Sequence, residues 1–286
     1  MTARGVCLSL LLCSWLASAR QQILTFTSGT EAVRVDVLVT RGGRPVTGLT
    51  AADFEVRDEG VAQTIDHAAF EEIPLNVVLT LDASSSVAGE RAEHLRTASR
   101  NVLNRLEPDD QAALVTFGDA VVVRSMLTHD LPSIRRALGD IVPFGDTALV
   151  DASQTALLIG ESQPGRALVI VFSDGVEVAS YLDGSAVIDA AKRSDAVVYG
   201  VALTNLGPFL KDLTDTSGGE LFEVQSTTEL DAVFAKVLEQ FRHRYLLSYT
   251  PRGVARGGWH RLQVRVKQSG VKVKARPGYL GGAAGR

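Results

Sequence analysis

Asp82-Ala83-Ser84-Ser85-Ser86 sets one carboxylate and three hydroxyls where an apolar run, residues 75–81, ends. Alone, such a stretch can be an Asx-turn that caps a helix. Two other places carry similar donors. Asp174 follows the apolar run 167–172 in Ser173-Asp174-Gly175, and Thr147 follows the turn Gly145-Asp146 at the start of a helix expected over 147–160. Ligands of open α/β sheets sit outside the carboxyl ends of the strands, so the three loops can converge on one point. Two carboxylates and three hydroxyls then meet. Hard oxygen donors of this kind suit a divalent cation, Mg²⁺ foremost, with Mn²⁺ or Ca²⁺ as alternatives. A +2 ion neutralises the two carboxylates, and hydroxyl ligands leave it able to accept one more anionic oxygen.

The elements that must hold these loops are legible as periods. Residues 77–81, 112–117, 167–172 and 197–203 are continuous apolar runs, the pattern of parallel strands buried on both faces. Helical stretches are expected near 88–106, 130–140, 147–160, 184–194, 207–216 and 227–243, and residues 121–127 as one antiparallel edge strand. The fold class is α/β, a doubly wound, Rossmann-like sheet of about six strands.

The flanks read differently. Val33, Val35, Val37 and Val39 alternate with other residues, and strands are expected on either side of an Asp58-Glu59-Gly60 turn. At the other end, residues 245–250 and 259–267 are strand-like, and Ser269-Gly270 predicts a hairpin into 271–275. Each flank has one apolar face and is too small to bury it alone. The expected solution joins them as one small β-sandwich with the α/β domain inserted between them. The division is a signal peptide over 1–19, an N-terminal β segment over 30–73, the α/β domain over 74–243 and a C-terminal β segment over 244–280. Trp259 and Tyr279 are assigned to the sandwich core, Asp151 to a structural helix position, and the five histidines to surface or packing roles.

The 286 residues are 45% hydrophobic and 22% charged, enough to bury a sizeable core. Arg4, a short apolar run over 6–16 and Ala17-Ser18-Ala19 form the pattern of a cleaved secretory leader. The expected location is therefore extracellular, periplasmic or cell envelope. Both cysteines, Cys7 and Cys13, fall in that leader, so a mature chain has neither disulfide nor thiolate chemistry. No later segment is apolar enough to span a membrane. Charge is uneven: beyond Glu239 lie eleven Lys or Arg and no acid, while residues 1–239 hold 18 basic against 33 acidic side chains. Alternating cations on an exposed strand face are expected there, with an anionic envelope surface as a second possible partner. Nucleic acid is not expected for an exported chain with an acidic body.

Asp-x-Ser-x-Ser after the first buried strand, Gly-Asp-Thr-Ala and Ser-Asp-Gly together resemble the von Willebrand factor A domain. The resemblance maps that family's metal-ion-dependent adhesion site onto Asp82, Ser84, Ser86, Thr147 and Asp174. It implies hydroxyls that ligate directly, aspartates acting partly through water, and a partner's Glu or Asp completing the octahedron. Ser85 stands where many members have Gly. The flanks "VTGLTAADFEVRDEGVAQTI" and "RYLLSYTP…WHRLQVRVK…VKARPGYL" resemble the exported von Willebrand A-related proteins of the acidobacterial type. The expected function is binding, not catalysis: an adhesion or protein-binding module that captures an acidic group. The rim is expected from Ser85, Asp146 and Glu177, with Glu90 and Asp183 adding negative charge, favouring a carboxylate with neutral or basic neighbours. The alternatives are a structural envelope protein stabilised by its metal and a metal-assisted hydrolase. Residues 82–90, 143–150 and 174–184 contain no Lys or Arg to stabilise phosphoryl transfer. Gly-x-Ser-x-Gly, Gly-x-x-x-x-Gly-Lys and His-Glu-x-x-His are all absent from the sequence.

Overall fold

A computed structural model describes residues 32–70, 73–203 and 207–282. The expected leader, 1–19, lies outside them. The N-terminal flank contributes β1 (Val33–Arg41), the two-residue β2 (Arg44–Pro45), β3 (Phe54–Asp58), β4 (Val61–Gln63) and β5 (His67–Phe70). The middle of the chain runs β6 (Leu75–Asp82), α1 (Glu90–Asn104), β7 (Gln111–Phe117), β8 (Val121–Thr128), α2 (Leu131–Gly139), α3 (Leu149–Gly160) and β9 (Arg166–Ser173). It continues through α4 (Gly184–Ala191), β10 (Val197–Ala202), α5 (Pro208–Ser217), β11 (Leu221–Glu223) and α6 (Leu230–Arg242). The chain closes with β12 (Tyr245–Tyr249), β13 (Gly258–Val266), β14 (Lys272–Lys274) and β15 (Gly278–Gly281).

The central sheet has six strands in the order β11-β10-β9-β6-β7-β8, parallel except for β8, which returns antiparallel beside β7. The sixth strand is the short Leu221–Glu223, which has too few residues to show a period. Every residue of β6, β9 and β10 is buried, because helices cover both faces. These strands carry two apolar faces instead of one: Val77, Leu79 and Leu81 meet α1, α2 and α6, while Val78, Val169 and Val171 meet α3, α4 and α5. The order reverses at β6, with β7 on one side and β9 on the other, and that switch point is where such sheets open a crevice.

The flanks form two more sheets. One is β14-β1-β12-β5 with β2 beside β1; the other is β15-β13-β3-β4. Val35, Val37 and Val39 of β1, Phe54 and Val56 of β3, Leu247 and Tyr249 of β12, and Leu262 of β13 share one apolar core between them. β5, which precedes β6, pairs antiparallel with β12, which follows α6 directly, so the strands entering and leaving the α/β region are neighbours.

The expected hairpin between 259–267 and 271–275 does not form. β13 already has β3 and β15 as neighbours, and the Ser269-Gly270 turn carries the chain into the other sheet, where β14 pairs with β1. The cations of the C-terminal region are also not all solvated. Arg244 is fully buried, reaching Tyr199 Oη at 3.3 Å, the Asp36 carbonyl at 3.4 Å and the Gly218 carbonyl. Arg276 is buried against the Lys192 carbonyl at 2.9 Å and Asp195 at 3.1 Å. With the buried Arg166–Asp36 pair, these groups fasten the sandwich strands to the α/β region. Arg261, Arg265, Lys267 and Lys272 remain exposed. Trp259 is exposed too, with the Lys192 ammonium 5.6 Å from its ring, and so is not core.

Candidate functional site at the strand ends

The three loops meet. Asp82 is the last residue of β6, and Ser84-Ser85-Ser86 leads through a single 3₁₀ turn towards α1. Asp82 Oδ1 accepts the Ser84 backbone N–H at 2.9 Å, the Asx-turn foreseen for this stretch, and Oδ2 accepts the Ser173 hydroxyl at 2.6 Å. The Ser84 and Ser86 hydroxyls lie 2.9 Å apart, and Ser86 Oγ donates to Asp174 Oδ1 at 2.6 Å. A β-carbon built on Gly175 would lie 3.0 Å from Thr147 Oγ1 and 3.7 Å from Ser86 Oγ, so Thr147 belongs to the same cluster. Asp82, Ser84, Thr147 and Asp174 are buried, while Ser85 and Ser86 are exposed. Burial pushes the Asp82 carboxyl above its ordinary range; hydrogen bonds from Ser173 and Ser84 oppose that shift, and the Asp174 charge adds to it.

Side chains outside the five expected donors hold this arrangement. The Asp119 carboxylate accepts the Asp146 backbone N–H at 2.5 Å and lies against Gly145. Gly145 has φ +79°, and a β-carbon there would overlap that carboxylate, so glycine is required on both counts. The Phe144 N–H donates to the Ala83 carbonyl at 2.8 Å, and the Ser85 N–H to the Gly145 carbonyl at 3.0 Å. Asp151, in the first turn of α3, accepts the N–H groups of Tyr181 and Leu182 at 3.0 and 2.9 Å and so anchors the loop after Asp174.

Two expectations about charge change. Glu177 does not face the rim: its carboxylate accepts N–H groups from Val150, Ala179 and Ser180 at 2.8–3.0 Å, plus the Ser180 hydroxyl at 3.0 Å. It caps the start of α3, where orphan N–H groups attract a carboxylate. Asp183 caps α4 through the Ser185 N–H at 2.7 Å. Asp146 and Glu90 are exposed. One cation does reach the site. Arg91 Nη1 lies 2.8 Å from Asp174 Oδ2 and 3.2 Å from the Ser86 carbonyl. Arg91 stands one residue past the end of the first loop, in the first turn of α1, and helical side chains tilt back towards the N-terminus. That tilt is the signal that places it here.

A family model for the von Willebrand factor type A domain matches residues 77–177. The chain contains a von Willebrand factor type A (VWA) domain. Solved structures agree on the VWA fold. A von Willebrand factor type A protein from Catenulispora acidiphila superposes with a TM-score of 0.56 at 12% identity, over 89% of this chain and 75% of its own. The proximal thread matrix protein 1 of the mussel byssus, in a form with a zinc-occupied metal-ion-dependent adhesion site, gives 0.52 at 18% identity, over 64% and 49%. Among sequence relatives, Synechocystis protein sll0103 is 27% identical over 36% of this chain. A UPF0353 protein of Mycolicibacterium gilvum is 27% identical over 66% of this chain and 67% of its own length. The chain spans about a quarter of the Synechocystis relative, 24% of its length.

VWA domains are protein-interaction modules, and in this one the strand-end cluster lies within the segment matched by the family model. The donor chemistry fits a hard divalent cation: all oxygen, two carboxylates, three hydroxyls. Among the described residues no group of three or more His, Cys, Asp or Glu is arranged to hold a metal, so a cation here depends on the hydroxyls. No helix among the described residues is long and apolar enough to cross a membrane.

Proposed function

We propose that this protein is an exported recognition module whose VWA domain captures a Glu or Asp side chain of a partner protein through a divalent cation, Mg²⁺ foremost. Asp82, Ser84, Ser86, Thr147 and Asp174 hold the cation, which supplies an electrophilic centre for the incoming carboxylate. Residues 74–243 form the recognition domain, and segments 30–73 and 244–280 form its mount. The convergence of β6, β9 and the start of α3 on one cluster of oxygens carries this reading. The zinc in the adhesion site of the mussel protein supports a divalent ion on this fold. The leader pattern expected over 1–19 supports export. The exposed Arg261, Arg265, Lys267 and Lys272 supply a second, weaker contact to anionic envelope material.

A hydrolase reading gains one cation in Arg91, but that guanidinium is engaged by Asp174. The ring hydrogen bonds of His94, His129, His243 and His260 go to other parts of the chain, so none of them is placed as a general base for the cluster. Binding is tested by immobilising the protein and challenging it with envelope extract. Retention in Mg²⁺, release by EDTA and absence from an Asp82→Asn column are expected; retention indifferent to EDTA rules out metal bridging.

Arg91 sets how readily the cation loads. Its guanidinium competes for Asp174 Oδ2 and repels a +2 ion nearby. Arg91→Gln is expected to bind Mg²⁺ about tenfold more tightly, the effect of removing one partly solvated charge at short range. Isothermal titration checks this, and an equal or weaker affinity would show that Arg91 orients Asp174 instead of competing for it. Little change in fold stability is expected, since the pair is half-exposed at Arg91.

A further inference from the structure

Large apolar side chains left exposed are concentrated around this cluster. Of twelve such side chains among the described residues, six are Val142, Phe144, Val176, Val178, Tyr181 and Leu182. Phe144 is 73% exposed, Val178 67% and Tyr181 97%. Single exposed apolar residues are ordinary, but a contiguous group marks an interaction surface. The two short loops that carry them are the loops that deliver Thr147 and Asp174. Their backbones are tied down on both sides of the site. Phe144 and Gly145 bond to Ala83 and Ser85, the Val178 and Ala179 N–H groups donate to the Thr147 carbonyl at 3.2 Å, and Asp151 holds Tyr181 and Leu182. The display is therefore held by the same contacts that hold the oxygen cluster.

We propose that the rim selects a protein segment in which one Glu or Asp is flanked by large apolar side chains. The carboxylate enters the oxygen cluster, one apolar neighbour packs on Val142 and Phe144, and the other on Val176, Val178 and Tyr181. This rests on the carboxylate-capturing reading above and names its partner class. It also replaces the basic-flanked ligand expected from an acidic rim, because Glu177 is turned into the backbone and the large side chains that these two loops leave exposed are apolar. The charges favour a polypeptide over a lipid surface. The two loops contain no Lys or Arg, and Glu90, Asp146 and Asp183 are exposed around them, so an anionic bilayer is repelled whereas a segment with a single acid at its centre is not.

The test uses four fluorescein-labelled nine-residue peptides and the full mature chain in Mg²⁺. Three carry one central Glu flanked by Leu and Phe, by Ser, or by Lys; the fourth has Gln in the Leu/Phe background. Fluorescence anisotropy is expected to rank the Leu/Phe–Glu peptide at least tenfold tighter than the other three. In a Phe144→Ser, Tyr181→Ser double variant the three Glu peptides are expected to fall within twofold of one another, with the Mg²⁺-induced melting shift retained. Equal affinity across flanks in the parent, a preference for Lys flanks, a preference that survives the double variant, or a Mg²⁺ shift without binding of any peptide would overturn the proposal. So would Mg²⁺-loaded protein that sediments with phosphatidylglycerol vesicles through these side chains, which would make the rim a membrane contact. Failure of the underlying reading looks different: no Mg²⁺ shift at all, or Gln binding as well as Glu.

Discussion

Asp82→Asn is expected to abolish stabilisation by Mg²⁺ while leaving the metal-free protein at least as stable as its parent. Asp82 is buried, its carboxyl is pushed up by that burial, and the Asp174 carboxylate lies across the same cluster. Ionising it there is costly without a cation. Asparagine keeps an oxygen for the Ser84 N–H and offers an amide to the Ser173 hydroxyl, which can turn to accept. The parent behaves oppositely. At a Mg²⁺ concentration 100 times its Kd, linkage stabilises the folded state by ~2.7 kcal/mol, or roughly 5–10 °C in melting temperature for a domain of this size. The shift should saturate with Mg²⁺, vanish with EDTA and be missing from Asp82→Asn. An undiminished shift in the variant would move the cation elsewhere.

Asp58→Ala is expected to destabilise the protein by about 3–5 kcal/mol, the range for removing one partner of a buried hydrogen-bonded charge. The Asp58 carboxylate is fully buried and accepts the Tyr249 hydroxyl at 2.9 Å and the Tyr279 hydroxyl at 2.7 Å, with His260 Nδ1 at 2.8 Å. Tyr249 belongs to β12 in one sheet, whereas Asp58, His260 and Tyr279 belong to β3, β13 and β15 in the other. The carboxylate is therefore a clamp across the sandwich. Burial, with the nearby Asp58 charge, pushes both tyrosine hydroxyls above their ordinary range, so they remain protonated donors. Alanine leaves two buried donors, Tyr249 and His260, and the half-buried Tyr279 hydroxyl without their acceptor. Urea denaturation measures the loss; a change below about 1 kcal/mol would mean that water replaces the carboxylate. Tyr279→Phe, which removes one donor from the half-buried end, should cost only about 1 kcal/mol.

Asp58 shows where sequence reading stops. In Arg57-Asp58-Glu59-Gly60 it reads as a turn residue, and the turn is real, since Glu59 and Gly60 both have positive φ. Nothing local says that the carboxylate points inward, because its three donors come from residues 191, 202 and 221 positions later. Arg91 is similar: its helix was legible, its ion pair with Asp174 was not. Glu177 looked like rim charge because one of the N–H groups that claim it, that of Val150, belongs to a helix 27 residues earlier, while those of Ala179 and Ser180 reach it only through the fold of its own loop.

The amino-acid sequence by itself determined the α/β sheet, its helices, the strand-like flanks and the placing of five oxygen-bearing side chains on loops at the strand ends. Those features rest on short-range properties: apolar period, turn chemistry and residue types placed just past a buried strand. Only the tertiary structure decided which strands became neighbours, so that β13 and β14 part into different sheets. It also decided which charges are buried, with Arg244 and Arg276 drawn inward and Trp259 left outside, and which apolar side chains stay exposed around the oxygen cluster. Pairing and burial depend on partners far along the chain, where competing surfaces and unsatisfied polar groups select one arrangement, and no local pattern records that choice.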